Sequence, residues 1–472
     1  MKKIKLALLG LACCLLGNIN AQSWNPVGTG LSPEPGCMAV YNGNLYVGGY
    51  ITNAGGVPVN TIAMWDGTNW SAVGSGITGA VNSSNPEIYA MAVYNGDLYV
   101  GGYFTTAGGA PASNIAKWNG TGWSALGSGI NGFVHTMSVY NGKLIIGGNF
   151  TSANGLPLNN ITAWDGTTFS SLGTGIPSGY MNLWGVTNMS TDNSLLYVTG
   201  YFDSAGGKLC NSVAQWDGTN WSAFGKGILL TRLWTSLPAW GYTISSYNNE
   251  LFLGGAFDSI QGATTYAATF WNGTNWNTPF NSASTSLQFN CSMVYNGLLY
   301  AGGKFYSGIS GSLENGVATW NGSKWDTVGS GLSADSGIYP YSDSGVVAFC
   351  AYNGALYATG NFTRSGKTVV NHIAAWGAVT GIAAIKNEQT FSVYPNPSNG
   401  IFNFQLADGQ QLTADSHLEV YNMLGEEIAT QTKSGDAQLS INLSEKPAGI
   451  YLYRMLSKTG AVIGSGKLVI EH

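Results

Sequence analysis

The chain has few charged side chains. Only 9% of its 472 residues are Asp, Glu, Lys or Arg, against roughly 25% in ordinary globular proteins. Residues 22–378 contain nine Lys and Arg residues, and these form no cluster. Nucleic-acid binding would have no electrostatic basis, so we expect no nucleic-acid partner.

Long apolar runs are also missing. Beyond the N-terminus, no stretch approaches the ~20 apolar residues that a membrane helix needs, which predicts a chain without a transmembrane anchor. The short apolar run at residues 6–16 follows Lys2, Lys3 and Lys5 and precedes Ala21. This order is typical of a secretory signal peptide at residues 1–21, and it predicts an exported protein.

The residue types of familiar catalytic sites are scarce. The only histidines and arginines of residues 22–378 are His135, His372, Arg232 and Arg364. Two arginines cannot supply the three-arginine carboxylate clamp of a sialidase-type site. The counts would allow a copper oxidase site with two His, two Tyr and a crosslinked Cys, but nothing connects the two histidines. Since no nucleophile elbow, zinc motif or phosphate loop occurs either, we predict a protein that is not an enzyme and has no cofactor.

Cysteine is rare after the signal peptide. The spacing of Cys37, Cys210, Cys291 and Cys350 matches no metal-binding pattern. Export permits disulfides, whose pairing the sequence does not define. Buried thiols that act as small apolar side chains are the favoured interpretation.

Glycine and aromatic residues are abundant. The chain has 68 Gly, 16 Trp, 25 Tyr and 17 Phe, a composition typical of all-β folds with many short strands and tight turns. The pattern Tyr-Asn-Gly-x-Leu-Tyr-Val-Gly-Gly recurs seven times with variation, at intervals of about fifty residues. Its leucines are Leu45, Leu98, Leu144, Leu196, Leu251, Leu299 and Leu356.

Each repeat divides into four short strands. An Asn-Gly turn joins the first two strands, and a Trp-Asp/Asn-Gly-x-x-Trp pattern in the first six repeats contains the turn between the third and fourth. Asp66, Asp165 and Asp217 in this pattern are predicted to be turn residues rather than catalytic acids. Four strands at this interval are typical of a propeller blade, so the sequence predicts seven blades.

The two ends of the repeat region complement each other. The seventh repeat stops at Trp376 and lacks its fourth strand, whereas residues 23–30, around Trp24, match a fourth strand. We therefore predict an all-β protein whose residues 22–378 form a seven-bladed β-propeller closed by the N-terminal strand, followed by a linker at 379–390. Such closure leaves no open sheet edge between the first and last blades.

The repeats also carry a family resemblance. The order of a short apolar strand, a turn, Leu98-Tyr99-Val100-Gly101-Gly102, Trp118 and Trp123 resembles kelch and galactose-oxidase-type propellers. The variant Gly-Gly-x-Phe…Ile-Ala-x-Trp-Asp-Gly-x-x-Trp is similar to repeats of the fungal cortical cell-polarity marker, over residues 24–378. This resemblance implies the fold and says almost nothing about function.

Residues 391–472 form a different module. Alternating apolar runs predict a small β-sandwich. The module is similar to the type A sorting domain of the Bacteroidetes type IX secretion system in four motifs, around Tyr394-Pro395-Asn396-Pro397, Tyr421-Asn422-Met423-Leu424-Gly425, Pro447-Ala448-Gly449-Ile450-Tyr451 and Gly466-Lys467-Leu468-Val469-Ile470. The resemblance implies the type IX secretion machinery as a partner and a secreted or outer-surface location.

Strand order indicates where a ligand would bind. The connections between blades and the loops between second and third strands share one face of a propeller, and these are the long and variable ones here. We call it the long-loop face. Its aromatic residues are the predicted ligand site, with Asp335 and Asp343 as a weak Ca²⁺ candidate. The predicted site residues are Tyr180, Trp184, Trp234, Trp240, Tyr242, Tyr339 and Tyr341.

The sequence thus predicts a non-catalytic surface propeller that binds an extracellular glycan or protein. An exported polysaccharide-active enzyme and a structural protein of the surface or matrix stay open as alternatives. The enzyme would require at least two converging carboxylates at the mouth of the channel.

Overall fold

The computed structural model describes residues 23–80, 84–177, 185–192, 195–230, 237–260, 263–277, 287–305, 316–334, 345–377, 391–406, 417–422, 427–432, 439–456 and 462–471. Within these residues every regular element is a β-strand and no helix occurs, so the all-β prediction is confirmed. The chain forms two compact units, Met1–Thr380 and Gly381–His472.

Seven antiparallel sheets follow the repeats in the described part of the first unit. Each has four main strands in sequence order, except that the fourth strand of the last sheet comes from the N-terminus. Sheet 1 contains Leu31–Tyr41, Asn44–Ala54, Ile62–Trp65 and Trp70–Ala72; sheet 2, Glu87–Tyr94, Asp97–Tyr103, Ile115–Trp118 and Trp123–Ala125; sheet 3, Phe133–Tyr140, Lys143–Asn149, Ile161–Trp164 and Phe169–Ser170; sheet 4, Gly185–Asp192, Leu195–Tyr201, Val213–Trp216 and Trp221–Ala223; sheet 5, Trp240–Tyr247, Glu250–Ala256, Ala268–Trp271 and Trp276–Asn277; sheet 6, Leu287–Tyr295, Leu298–Phe305, Val317–Trp320 and Trp325–Thr327; and sheet 7, Gly345–Tyr352, Ala355–Asn361, Ile373–Trp376 and Trp24–Pro26.

Short strands lie in the loops between second and third strands and, at Ile77–Thr78, Ile228–Leu230 and Leu237–Pro238, in the connections between successive sheets. They are Val57–Pro58, Ile77–Thr78, Thr106–Ala107, Ala110–Pro111, Ser152–Ala153, Leu156–Pro157, Ser204–Ala205, Lys208–Leu209, Ile228–Leu230, Leu237–Pro238, Ser259–Ile260, Ala263–Thr264, Arg364–Ser365 and Thr368–Val369.

The tight turns form for the reasons that the sequence suggests. Asn95 and Gly96 both have positive φ, as a two-residue hairpin turn requires. In the turn between third and fourth strands, Asp66 Oδ1 accepts hydrogen bonds from the backbone N–H groups of Thr68 and Asn69, each at 2.8 Å. The equivalent contacts of Asp165 and Asp217 confirm these aspartates as turn residues.

Each first strand contains a one-residue β-bulge near its start. Register shifts bracket the bulge residue at the same place in all seven sheets. The paired second strand has glycine opposite, because a Cβ at Gly102, for example, would overlap the carbonyl oxygen of Glu87. The bulge residues are Gly36, Tyr89, His135, Thr187, Tyr242, Asn290 and Val347.

The other glycine of the Gly-Gly pair serves packing between neighbouring sheets. Gly101 of sheet 2 faces Val134 of sheet 3, and a Cβ at Gly101 would overlap that valine side chain. Between sheets 4 and 5 the sizes are exchanged: Thr199 takes the glycine position and Gly241 takes the valine position. Each of these two junctions therefore has a small residue on one side.

Aromatic pairs connect third and fourth strands. In sheet 2 the rings of Trp118 and Trp123 have centroids 5.2 Å apart. In sheet 7 the same pair is Trp376 with Trp24, at 5.3 Å. Trp24 is 1% exposed, pairs in register with Trp376, and donates from Nε1 to the Val328 carbonyl at 3.1 Å. The N-terminal strand therefore contacts both sheet 6 and sheet 7.

The second unit contains two antiparallel sheets with one shared core. One sheet contains Phe391–Tyr394, Ile401–Leu406 and Leu439–Asn442; the other contains Glu427–Thr432, His417–Tyr421, Gly449–Leu456 and Val462–Ile470. Phe402 and Phe404 from the first sheet pack with Leu418 and Tyr453 from the second. This is the arrangement of a small β-sandwich.

Candidate functional site

The start of each first strand forms a distinct end of its sheet. It lies where the connection from the preceding sheet enters, which is the side of the predicted long loops. We define the bulge end by three positions: the residue two before the bulge residue, the bulge residue itself, and the residue that follows the glycine opposite the bulge in the preceding sheet's second strand. Bulges redirect side chains and often lie beside functional sites.

Only two of the predicted aromatic site residues lie within the described part of the chain. Tyr180, Trp184, Trp234, Tyr339 and Tyr341 lie outside it, as do Asp335 and Asp343. Trp240 and Tyr242 are described, and both belong to the bulge end of sheet 5.

Trp240 packs across the junction between sheets 4 and 5. Its ring stacks on Tyr201 of the preceding sheet, with centroids 5.1 Å apart and planes 21° apart. Tyr201 is buried, at 1% exposure, whereas Trp240 is half-buried. Trp240 is therefore the accessible member of the pair, and the adjacent bulge residue Tyr242 is half-buried too.

A second aromatic cluster lies at the junction between sheets 2 and 3. Tyr103 stacks on Phe133 with centroids 4.0 Å apart and planes 14° apart. The rings of Phe133 and His135 are nearly parallel, with centroids 5.6 Å apart and planes 8° apart. Tyr89 contacts His135 at 5.4 Å. All four rings are half-buried, so the cluster retains accessible surface.

One carboxylate belongs to this second cluster. The Tyr89 hydroxyl donates to Glu87 Oε2 at 3.0 Å. Burial raises the pKa of Glu87, and the negative charge of Glu34 in sheet 1 raises it further, while the Tyr89 hydrogen bond partly opposes this. Glu34 and Glu87 thus interact electrostatically across neighbouring sheets.

The two histidines lie in different environments. Burial lowers the pKa of His135 to about 4, so this ring is neutral at pH 7 and acts as a flat aromatic surface. His372 precedes the third strand of sheet 7, with Nδ1 3.1 Å from the Gly360 carbonyl oxygen, and burial lowers its pKa. His135 contacts Tyr89 and Phe133, whereas His372 contacts backbone of its own sheet.

Within the described ranges, the cysteines and acidic residues supply no further centre. Cys37, Cys210, Cys291 and Cys350 are free thiols, and burial raises the pKa of the Cys210 thiol to about 12. The favoured interpretation of buried thiols is thereby confirmed for the first three; Cys350 is only half-buried. Among the described residues, no three His, Cys, Asp or Glu side chains converge as a metal site would require.

Sequence reasoning missed the cluster of Tyr89, Tyr103, Phe133 and His135. Those residues lie within strands, whereas the prediction rested on the aromatic residues in the connections between repeats. A useful signal was present: when the seven repeats are aligned, the residue just before the Ala-Met-Ala-Val-Tyr segment varies from Gly to Tyr, His, Thr, Asn and Val. Variation at one strand position amid regular neighbours indicates a residue that packing does not specify.

Comparisons with known proteins assign two regions. Residues 392–471 match the model of a secretion system C-terminal sorting domain, and residues 82–172 match a Rax2 C-terminal β-propeller domain. The second match contains the whole Tyr89–His135 cluster. Both predicted resemblances are confirmed. The chain carries a type IX sorting domain, which directs it to the cell surface or the extracellular space, and no described helix could span a membrane.

Three solved structures show weak similarity. One is described as the extracellular domain of a one-component system from B. thetaiotaomicron (11% identity, 93% of this chain, 74% of that chain, TM-score 0.27). Another is an α-L-arabinofuranosidase from Clostridium thermocellum (16% identity, 57% of this chain, 80% of that chain, TM-score 0.22). The third is described as a 6-phosphogluconolactonase from Bacteroides uniformis (10% identity, 93% of this chain, 100% of that chain, TM-score 0.30). Comparison with curated proteins found no match.

Proposed function

We propose that residues 22–378 form a closed seven-bladed propeller, preceded by a signal peptide at 1–21 and followed by a linker at 379–390 and the sorting domain at 391–472. Seven sheets built on one plan support the blade number. The pairing of Trp24 with Trp376 supports closure. So do the contacts between successive first strands, which include a contact of sheet 7 with sheet 1.

The propeller is a non-catalytic, exported binding module whose ligand occupies the long-loop face. The observation that carries this proposal is the concentration of half-buried aromatic rings at the bulge end, in sheets 2–3 and 4–5. Aromatic faces stack on sugar rings, whose C–H surfaces are apolar, so an extracellular glycan is the ligand that this surface fits best. A protein ligand is the other outcome.

The loop aromatics complete the proposed surface. Tyr180, Trp184, Trp234, Tyr339 and Tyr341 belong to connections between repeats, which strand order assigns to the same face. The sorting domain is the part that engages the type IX secretion machinery.

A glycan-array screen of the full-length protein tests the binding function. A double variant, Phe133→Ala with Trp240→Ala, removes one accessible ring from each cluster. Tyr295→Ala is the matched control, because this half-buried tyrosine lies at the opposite end of a first strand. We expect saturable binding that the double variant loses and the control keeps, with circular dichroism verifying the fold. Absence of binding across a broad array would contradict the glycan proposal and favour a protein ligand.

One observation favours the enzyme as a second candidate. Glu34 and Glu87 both lie two positions before a bulge residue, Glu87 accepts a hydrogen bond from Tyr89, and burial raises the pKa of Glu87, as a general acid requires. Release of reducing sugar from polysaccharides that the array identifies tests this function. Activity lost in Glu87→Gln and kept in Glu250→Gln, a carboxylate at a tight turn, would establish catalysis, whereas binding without product release would reject it.

A further inference from the structure

The two aromatic clusters occupy equivalent positions in the repeat. In each, the last residue of a second strand stacks on the first residue of the next sheet's bulged segment: Tyr103 on Phe133, and Tyr201 on Trp240. In each, the bulge residue two positions later is a ring as well, His135 in one and Tyr242 in the other. The same three positions of the repeat therefore carry rings at both junctions.

The junction between these clusters is different. Between sheets 3 and 4 the equivalent positions are Asn149, Gly185 and Thr187, none of which is aromatic. Gly185 has φ +56°, and a Cβ there would overlap the Gly148 carbonyl oxygen, so the absence of a side chain is fixed by the backbone. Two aromatic sites are thus separated by one junction without a ring.

The junction before the Tyr103–Phe133–His135 cluster has a third composition. Between sheets 1 and 2 the equivalent positions are Tyr50, Glu87 and Tyr89. Here a carboxylate stands where the other two junctions have Phe133 and Trp240. A hydrogen-bond acceptor beside a tyrosine pair suits the hydroxyl groups of a sugar more than the flat face of its ring.

We infer that the bulge end binds an extended chain of sugar residues at two equivalent stacking subsites, Tyr103–Phe133–His135 and Tyr201–Trp240–Tyr242, with Glu87 as a polar contact beside the first. This inference rests on the proposed glycan-binding function and names its ligand class, a linear polysaccharide rather than a terminal sugar. Two linked contacts raise affinity through effective concentration, without any new type of contact.

Chain length is the property that separates this inference from simple sugar binding. Full-length protein is titrated calorimetrically with cello-, xylo- and laminari-oligosaccharides, each from disaccharide upward. In the series that binds, affinity should rise on the order of a hundredfold with length and then level off, once the chain spans both subsites. Phe133→Ala or Trp240→Ala alone should remove this gain and leave short-chain affinity almost unchanged, because one subsite survives.

Gln288→Ala provides the matched control. Gln288 occupies the position of Phe133 and Trp240 at the junction between sheets 5 and 6, so its substitution should leave the length dependence intact. A disaccharide that binds as tightly as the longest chain, or a single-ring variant that keeps the full gain, would overturn the two-subsite inference while the binding function stands. Binding in none of the series would overturn this inference, and an empty glycan array would overturn the proposed function with it.

Discussion

Substitution of Trp24 tests closure of the propeller most directly. The Trp24→Ala change removes a side chain that is 1% exposed, that lies 5.3 Å from Trp376 and that donates to the Val328 carbonyl. Truncation of a buried tryptophan costs about 3–5 kcal/mol. Trp24→Phe keeps most of the ring contact but leaves the Val328 carbonyl without its donor, which costs about 1–3 kcal/mol. Urea unfolding of the full-length protein, followed by circular dichroism, measures both.

Hydrogen exchange shows where the stability is lost. In Trp24→Ala, amides of Ile373–Trp376 should exchange faster because this strand loses its partner, while those of Ile115–Trp118 should not change. Trp123→Ala is the matched control, because Trp123 makes the equivalent contacts in sheet 2: it pairs with Trp118 and donates to the Val73 carbonyl of the preceding repeat. This variant should accelerate exchange at Ile115–Trp118 instead. A Trp24→Ala protein within about 0.5 kcal/mol of the parent, the range of surface substitutions, would refute closure by this strand.

Three further predictions concern packing and charge. Gly241→Val should lower the free energy of unfolding by about 1–3 kcal/mol by overlap with Thr199, and Thr199→Gly in the same chain should recover part of the loss; additive effects in denaturant unfolding would contradict this. Hydrogen bonds from backbone N–H groups hold the pKa of Asp165 in the folded protein below its usual range. The ionised Asp165 therefore stabilises the fold above the ordinary Asp pKa, and this stabilisation should be lost as the pH falls through the lowered pKa of the folded protein. Asp165→Asn should remove that pH dependence and keep the turn, as Asn119 does in sheet 2, and NMR titration of the carboxyl measures the pKa. Because the pKa of Glu87 is raised in the folded protein, ionisation of Glu87 destabilises the fold as the pH rises from the ordinary Glu pKa through the raised pKa. Glu87→Gln should therefore raise the melting temperature at neutral pH but not at a pH below the ordinary Glu pKa. An equal change in melting temperature at the two pH values would contradict the charge argument.

Much of the fold was predictable because the repeat carries its own structural reasons. Asn-Gly at a hairpin, Asp in an Asx-type turn and Trp at facing strand positions each specify local geometry, and seven copies reinforce one another. The role of Trp24 was predictable for the same reason, since only one repeat lacks a fourth strand. The exchange of Thr199 and Gly241 was not predictable, because it depends on which residues face each other across two different repeats.

Of the predicted site residues, only Trp240 and Tyr242 lie in the described part of the chain, and both belong to the bulge end. Trp240 and Tyr242 were identified because they are bulky and follow an irregular loop. Phe133 and His135 were overlooked as ordinary strand residues, because a bulge is a matter of backbone register and has no residue type of its own. The electrostatic link between Glu34 and Glu87, residues more than fifty positions apart, likewise requires coordinates.

The pairing of the N-terminal strand also determines when, during synthesis of the chain, sheet 7 can be completed. Asn25 donates to the carbonyl of Gly377, 352 residues later, so sheet 7 cannot be completed until almost the whole repeat region has been synthesised. The sorting domain at residues 392–471 follows at once. A chain whose synthesis stops early would therefore lack both its seventh sheet and its export signal, so the cell would not send out a half-built molecule through this route.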